Sequence, residues 1–339
     1  VNPRHSVDIL IVGAGPVGLY GAYYAGVRGL TTAVVDSLSQ IGGQVTAMYP
    51  EKEIYDVAAL PVVTGRELIS ALKIQAGQYD PIYLLGQEAQ ELSRTVDGDG
   101  GEHLEVRTST GTVIDCGAVI VTGGIGTFTP RPLAAGEAFL GRGLEYFVPS
   151  KDPYIGKDVV IVGGGDSAID WCLMLEPVAA TVTLVHRRVA FRAHAASVER
   201  VRASRVEIVT DAQVVALEGG EGVEKAHVEV KGEDEPRPVP CQQVVAALGF
   251  TANLGPLREW GVDLHDNRHL VVDSTMATNV PGVYAAGDIV EYQGKIRLIA
   301  VGFGEVATAV NNAAVYMDPR AQLFPGHSTD LPHTVPVPA

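Results

Sequence analysis

The chain has 339 residues, 46% of them hydrophobic, with 40 acidic against 25 basic side chains and a net charge of −15. At about 150 residues per domain the length predicts two domains, and the apolar content excludes a disordered chain. The charge argues against a bulk affinity for nucleic acid or anionic lipid. No apolar run approaches the roughly 18 residues of a membrane span, and no charged segment followed by an apolar one opens the sequence, so a soluble, cytoplasmic protein is expected. Cys116, Cys172 and Cys241 are odd in number and far apart. They exclude a disulfide scaffold, a CxxC redox pair and a four-cysteine cluster or zinc site.

Two segments read alike. In residues 7–36 an apolar strand run leads into Gly13-Ala14-Gly15-Pro16-Val17-Gly18, then a small-residue helix, then a second strand run ending at Asp36. Residues 157–188 repeat the order strand, glycine turn, helix, strand, and end at His186, Arg187 and Arg188. Continuous Val/Ile/Leu runs of this kind are parallel strands buried on both faces, with a helix crossing between them. Short alternating strands are expected over 83–121, with a hairpin tip at 97–101, and again over 206–248, with a charged, glycine-rich loop at 218–235. Residues 122–126 and 247–250 read as crossings between domains, and the prolines after 318 predict an extended tail. The expected fold is therefore α/β. It comprises two Rossmann-like, three-layer dinucleotide-binding domains, each with a small β-meander, divided as 1–124, 125–248 and 249–339.

In the first turn Gly13 permits the bend, Gly15 lets backbone approach a pyrophosphate, and Gly18 lets the helix pack on its strand. The diphosphate belongs at the helix N-terminus, and Asp36 stands where a carboxylate accepts from ribose hydroxyls. In the second turn, Gly163-Gly164-Gly165-Asp166-Ser167-Ala168, no carboxylate ends the following strand. His186, Arg187, Arg188 and Arg192 stand there instead, and guanidinium groups bind a 2'-phosphate that a carboxylate would repel. The second unit is thus expected to hold NADPH. The first should hold a dinucleotide with a free ribose, most simply FAD.

These residues carry a resemblance. The second turn, with His186-Arg187-Arg188 and Phe191-Arg192-Ala193, is similar to the NADPH domain of thioredoxin reductases, and residues 278–288, ending Ala286-Gly287-Asp288, resemble the second FAD motif of that superfamily. The redox dithiol of those enzymes is missing, since residues 145–150 read Glu-Tyr-Phe-Val-Pro-Ser. A narrower group fits better: the thioredoxin-reductase-like (bacterial type 2) ferredoxin–NADP reductases. Ile41-Gly42-Gly43-Gln44 with Met48-Tyr49-Pro50-Glu51-Lys52 resembles their flavin loop. Gly302-Phe303-Gly304-Glu305 resembles their C-terminal helix, and Pro325-Gly326-His327-Ser328-Thr329 their tail. The resemblance implies FAD contacts at Asp36, Gly43, Gln44, Tyr49, Ala89, Phe128, Asp288 and Thr329, with Tyr49 stacked on one flavin face. His327 matches the tail residue that covers the other face, across a homodimer, although nearby Phe324 leaves the stacking residue open.

NADPH gives two electrons as hydride and ferredoxin takes one at a time, so a flavin is the natural intermediary. Hydride transfer needs the nicotinamide C4 about 3–3.5 Å from flavin N5 and no side-chain acid or base, so no catalytic side chain and no metal are expected. A helix beginning near Gly304 is expected to aim its N-terminus at the flavin N1/O2 edge. Flavodoxin as acceptor follows the same one-electron logic. A diaphorase acting on a quinone or small disulfide, or a flavin sensor without turnover, are the competing readings.

Overall fold

A computed structural model describes residues 3–96 and 102–327, with the side chains of Thr127, Phe128 and Ala252 outside the description. The expected hairpin tip at 97–101 and Thr329 lie outside the described residues. The chain divides into two compact units: 1–47, 53–128 and 252–339 form one, and 48–52 and 129–251 the other. The expected division assigned 48–52 to the first domain, but this segment packs with the second unit.

The chain opens with β1 (Arg4–Val12), α1 (Pro16–Val27), β2 (Thr32–Asp36) and α2 (Gly43–Met48). A short ribbon, β3 (Glu53–Ile54) and β4 (Val63–Thr64), leads to α3 (Gly65–Ala76). There Thr64 and Glu67 form a reciprocal capping box, which satisfies two amides that a helix start otherwise leaves open. Next come β5 (Ile82–Leu85), β6 (Ala89–Val96), β7 (Glu102–Thr108), β8 (Val113–Val121) and β9 (Thr127–Pro130).

The second unit adds β10 (Leu144–Glu145), β11 (Asp158–Gly163), α4 (Asp166–Leu175), β12 (Thr181–Val185), α5 (Ala195–Arg202) and β13 (Glu207–Val209). It continues through β14 (Ala212–Glu218), β15 (Lys225–Val230), β16 (Arg237–Pro240) and β17 (Gln243–Ala247). The chain ends with β18 (Phe250–Asn253), β19 (Leu264–His265), β20 (His269–Val271), β21 (Val283–Ala285), β22 (Val290–Glu291) and α6 (Ile299–Met317).

In the first unit β5, β2, β1, β8 and β21 run parallel, and β7 and β6 extend the sheet antiparallel from β8. The alternating strands expected over 83–121 are thus split: β5 belongs to the parallel core, and only β6 and β7 form the meander with β8. One strand serves both, because Val113–Cys116 pair with β7 while Val119–Val121 pair with β21. Ile9, Leu10 and Ile11 of β1 are fully buried, as a strand covered on both faces requires.

In the second unit β10, β17, β11, β12 and β13 form an all-parallel sheet, and β14, β15 and β16 a separate antiparallel one. Alternation along β11 makes the layers. Val159 and Ile161 pack with Ile169, Cys172 and Leu175 of α4, whereas Val160 and Val162 pack with Val214, Ala226 and Val228 of the antiparallel sheet. The loop expected at 218–235 therefore contains a strand, whose Ala226 and Val228 are buried while Lys225 and His227 are half-buried and Glu229 is exposed. Helix α6 begins at Ile299, five residues before the expected start near Gly304. None of the described helices is long and apolar enough to cross a membrane.

Candidate functional site

Three glycines shape the first turn, each for its own reason. Gly13 has φ +118°, and a Cβ there would sit 2.7 Å from the Thr122 carbonyl oxygen. A Cβ on Gly18 would lie 1.8 Å from the Gly13 oxygen, so only glycine lets α1 lie this close to the end of β1. At Gly15 the same construction meets nothing within 4 Å. It is the N-cap of α1, which starts with Pro16 and has no side-chain cap, leaving first-turn N–H groups free for an anion. Gly43 closes on this turn: with φ +56°, its Cβ would be 3.0 Å from Gly15 Cα. Gln44 sits beside Gly124, its Nε2 2.8 Å from where a Cβ of that glycine would be.

Asp36 ends β2 beside the turn. Its Oδ2 accepts from the Ala14 amide at 2.6 Å and its Oδ1 from the Leu38 amide at 2.8 Å. Burial raises its pKa, and the two backbone hydrogen bonds pull it back down. Each oxygen keeps a second lone pair, which suits ribose hydroxyls. Ala89 opens β6 with its methyl in the core, so its backbone is the part able to meet a ligand. Phe128 lies in β9. Tyr49 is half-buried in the 48–52 segment of the second unit, whose Lys52 pairs with Asp170 of α4 at 2.5 Å.

Asp288 follows Gly287, which takes φ +85° just beyond β21. Burial raises the Asp288 pKa, while Lys295 and Arg297 oppose that rise. Around it lies a buried network absent from the sequence expectations. Glu305 accepts from the Gly287 amide at 2.7 Å, the Tyr292 hydroxyl at 2.7 Å and the Lys295 ammonium at 2.6 Å. Glu305 falls in the helix motif quoted above, and a carboxylate in so apolar a helix is the one signal that could have found it.

At the chain's end Arg28 donates to the carbonyls of Gln322 at 2.8 Å and Leu323 at 2.9 Å, which ties the tail to the first unit. Phe324 is 57% exposed, and the exposed His327 ring meets it edge-on at 5.3 Å.

The second turn is built like the first. A Cβ at Gly163 would lie 2.4 Å from the Ala247 oxygen, Ala168 is fully buried, and Gly165 has nothing within 4 Å on its open side. Gly164 lies under His186, whose ring atoms would be 2.1–2.4 Å from an added Cβ. His186 stacks on Phe191 at 5.1 Å, and its Nε2 is 3.2 Å from the Ala190 carbonyl, which makes Nε2 the protonated nitrogen. Burial lowers its pKa, and Arg187, Arg188 and Arg192 lower it further.

Residues 191–194 strap over the turn. The Arg192 amide donates to the Gly164 carbonyl at 2.8 Å and the His194 amide to Asp166 Oδ1 at 2.9 Å. Asp166 therefore spends part of its carboxylate on the strap, and Ser167 is exposed at the first turn of α4. Arg187, Arg188 and Arg192 are exposed and form no ion pair among the described residues.

The three thiols are free and buried, and burial pushes each pKa up to about 12. Cys172 lies inside α4 rather than in a turn.

Residues 7–313 match the family described as pyridine nucleotide-disulphide oxidoreductase. The chain is 60% identical over 324 residues to a ferredoxin–NADP reductase of Nocardioides sp. (strain ATCC BAA-499 / JS614), covering 96% of this chain and 97% of that one. It is 59% identical over 322 residues to one of Frankia casuarinae, covering 95% and 98%. Among solved structures, thioredoxin reductase of T. acidophilum matches with TM-score 0.75 at 26% identity, covering 94% of this chain and 100% of that one. The thioredoxin reductase of Lactococcus lactis has the same fold, with TM-score 0.73 at 21% identity over 92% and 99% of the two chains. Both the fold and the narrower resemblance read from the motifs are upheld: the chain belongs to the pyridine nucleotide-disulphide oxidoreductase family and, within it, to the ferredoxin–NADP reductases.

Proposed function

We propose that this protein passes electrons from NADPH through FAD to ferredoxin. One contrast carries the reading. Two turns of the same construction are followed by strands that end in opposite charges, Asp36 in one and the Arg187, Arg188 and Arg192 cluster in the other. The first suits the free ribose of FAD and the second the 2'-phosphate of NADPH.

The bound flavin supplies the chemistry of accepting a hydride and releasing its electrons singly. The chain's own residues hold and orient. The α1 N-terminus and Gly15 receive the diphosphate, Asp36 the ribose and Asp288 the ribitol. Gly43, Gln44, Ala89, Phe128 and Thr329 complete the flavin site. In the second unit Gly163, Gly165, Ser167 and Ala168 form the diphosphate turn, while the Gly164 carbonyl holds Arg192 near it and Asp166 anchors the strap at His194. His186 shelves the turn, and the three arginines select the phosphate.

The buried, strongly basic thiols favour a one-electron carrier over a disulfide as acceptor, because the thiolate is the form that exchanges. Flavodoxin meets the same requirement as ferredoxin. The working partner is a carrier protein in the cytoplasm, neither nucleic acid nor a membrane, which fits the acidic charge and the free thiols. The functional form is a homodimer whose tail brings His327 to the partner's flavin. A chain truncated after Pro319 should then bind FAD more weakly and sediment as a monomer.

The purified protein should carry one non-covalent FAD per chain, bleached rapidly by NADPH without oxygen. Release of FMN, or no flavin after reconstitution, would refute the first-unit assignment. Bound FAD that NADPH does not bleach would favour a sensor.

A further inference from the structure

We propose that Lys295 and Glu305 are positioning residues of the flavin site: a buried ion pair that fixes the Gly287–Asp288 turn and sets the flavin's reduction potential through its charge. The inference rests on the FAD reading above and extends it to two residues to which the sequence reading gave no role.

The pair is secluded. The Lys295 and Glu305 side chains are 1% and 5% exposed, and their charged atoms lie 2.6 Å apart. Two ions so far from water carry a desolvation cost that their attraction offsets only when every remaining donor and acceptor is used. Here they are used. Glu305 Oε2 takes the Gly287 amide, and Oε1 takes both the Tyr292 hydroxyl and the Lys295 ammonium. The Lys295 ammonium also sits 5.7 Å from the centre of the Tyr292 ring.

That arrangement acts on Asp288 in two ways. Glu305 reaches back from within α6 to pin the amide immediately before Asp288, so it determines where that carboxylate points. Lys295 is the foremost positive charge acting on Asp288, ahead of Arg297, and opposes the effect of burial on it. Without Glu305 the ammonium loses its paired carboxylate, and its charge, which already acts on Asp288, is no longer offset there. The trio Asp288, Glu305 and Lys295 has a net charge of −1, and reducing a flavin beside it adds negative charge. Its potential should therefore follow the charge of the trio.

The test uses the FAD-loaded full chain at a single fixed pH. The flavin midpoint potential and the FAD dissociation constant are measured for E305Q, K295M and the double variant. The net charge becomes 0 in E305Q, −2 in K295M and −1 again in the double variant. The potential should rise in E305Q, fall in K295M and return to the wild-type value in the double variant, while E305Q binds FAD at least tenfold more weakly. A loss of structural support alone would not give shifts of opposite sign that cancel. If E305Q does not fold, K295M should still lie below the wild type. Potentials that are equal, or that shift in the same direction in both single variants, overturn the proposal. Wild-type protein that binds no FAD would instead refute the reading on which it rests.

Discussion

Asp36 Oδ2 accepts the Ala14 amide at 2.6 Å, so the carboxylate ending β2 also holds the glycine turn that follows β1. One residue thus holds the fold and, in the proposed function, also meets the ligand. Asp36→Ala removes an acceptor from two part-buried amides, each unsatisfied group costing about 1–3 kcal/mol. The apo protein should lose stability of that order in urea titration and bind FAD more weakly. Asp36→Asn, which keeps one acceptor oxygen, should fall between. Wild-type FAD affinity in Asp36→Ala would contradict the assigned role.

Gly15 and Gly18 separate binding from folding. Gly15 has φ −73° and open space where a Cβ would go, so Gly15→Ala should leave apo stability within about 1 kcal/mol of wild type. Its methyl would occupy the place of the diphosphate, and FAD binding should be lost. Gly18→Ala drives a methyl into the Gly13 carbonyl and should destabilise the apo protein itself. Thermal denaturation of both apo variants, alongside FAD titration, checks the contrast.

The exposed arginines should give NADPH a preference over NADH. Two charge-assisted hydrogen bonds are worth roughly 3–6 kcal/mol at most. At an open site about half of that is expected, a preference of about 10- to 100-fold. In the Arg187→Ala, Arg188→Ala double variant the ratio of kcat/KM values should narrow, mainly through weaker NADPH. An unchanged ratio would make the cluster a surface patch.

Much of this was legible because the signals are local. A glycine turn between an apolar strand and a helix, with Asp36 or Arg187 at the next strand end, lies within about thirty residues of sequence and rests on backbone requirements. What escaped depends on distant pairing. Residues 113–121 form one strand that serves a meander at one end and a parallel sheet at the other, and only the positions of β7 and β21 reveal it. The strand at 225–230 shows its alternation, but charged and glycine-rich neighbours on both sides made it read as loop. Helix α6 was placed too late because its first turn, starting at Ile299, carries no capping side chain. The roles of Lys295 and Glu305 follow from a contact ten residues apart, around a turn that neither residue marks.

The thiols predict a pH dependence. Each folded-state pKa, about 12, stands above the ordinary value of 9. The unfolded chain therefore releases these protons first. Their contribution to stability is fully present below pH 9 and is lost as pH rises from 9 to 12, by about 1.4 kcal/mol per pH unit per thiol. Urea unfolding across that window should show the decline, and Cys116→Ser, Cys172→Ser or Cys241→Ser should each make it shallower. At pH 8 the native protein should leave all three thiols unreactive towards a chromogenic disulfide, and denaturation should expose them.

The central claim is one-electron delivery from NADPH through a flavin to ferredoxin. Its most direct measurement is cytochrome c reduction by NADPH with ferredoxin added over a range of concentrations. The rate should rise and saturate with ferredoxin, and should drop when NADH replaces NADPH. A rate indifferent to both ferredoxin and flavodoxin, in a protein whose FAD NADPH still bleaches, would contradict it.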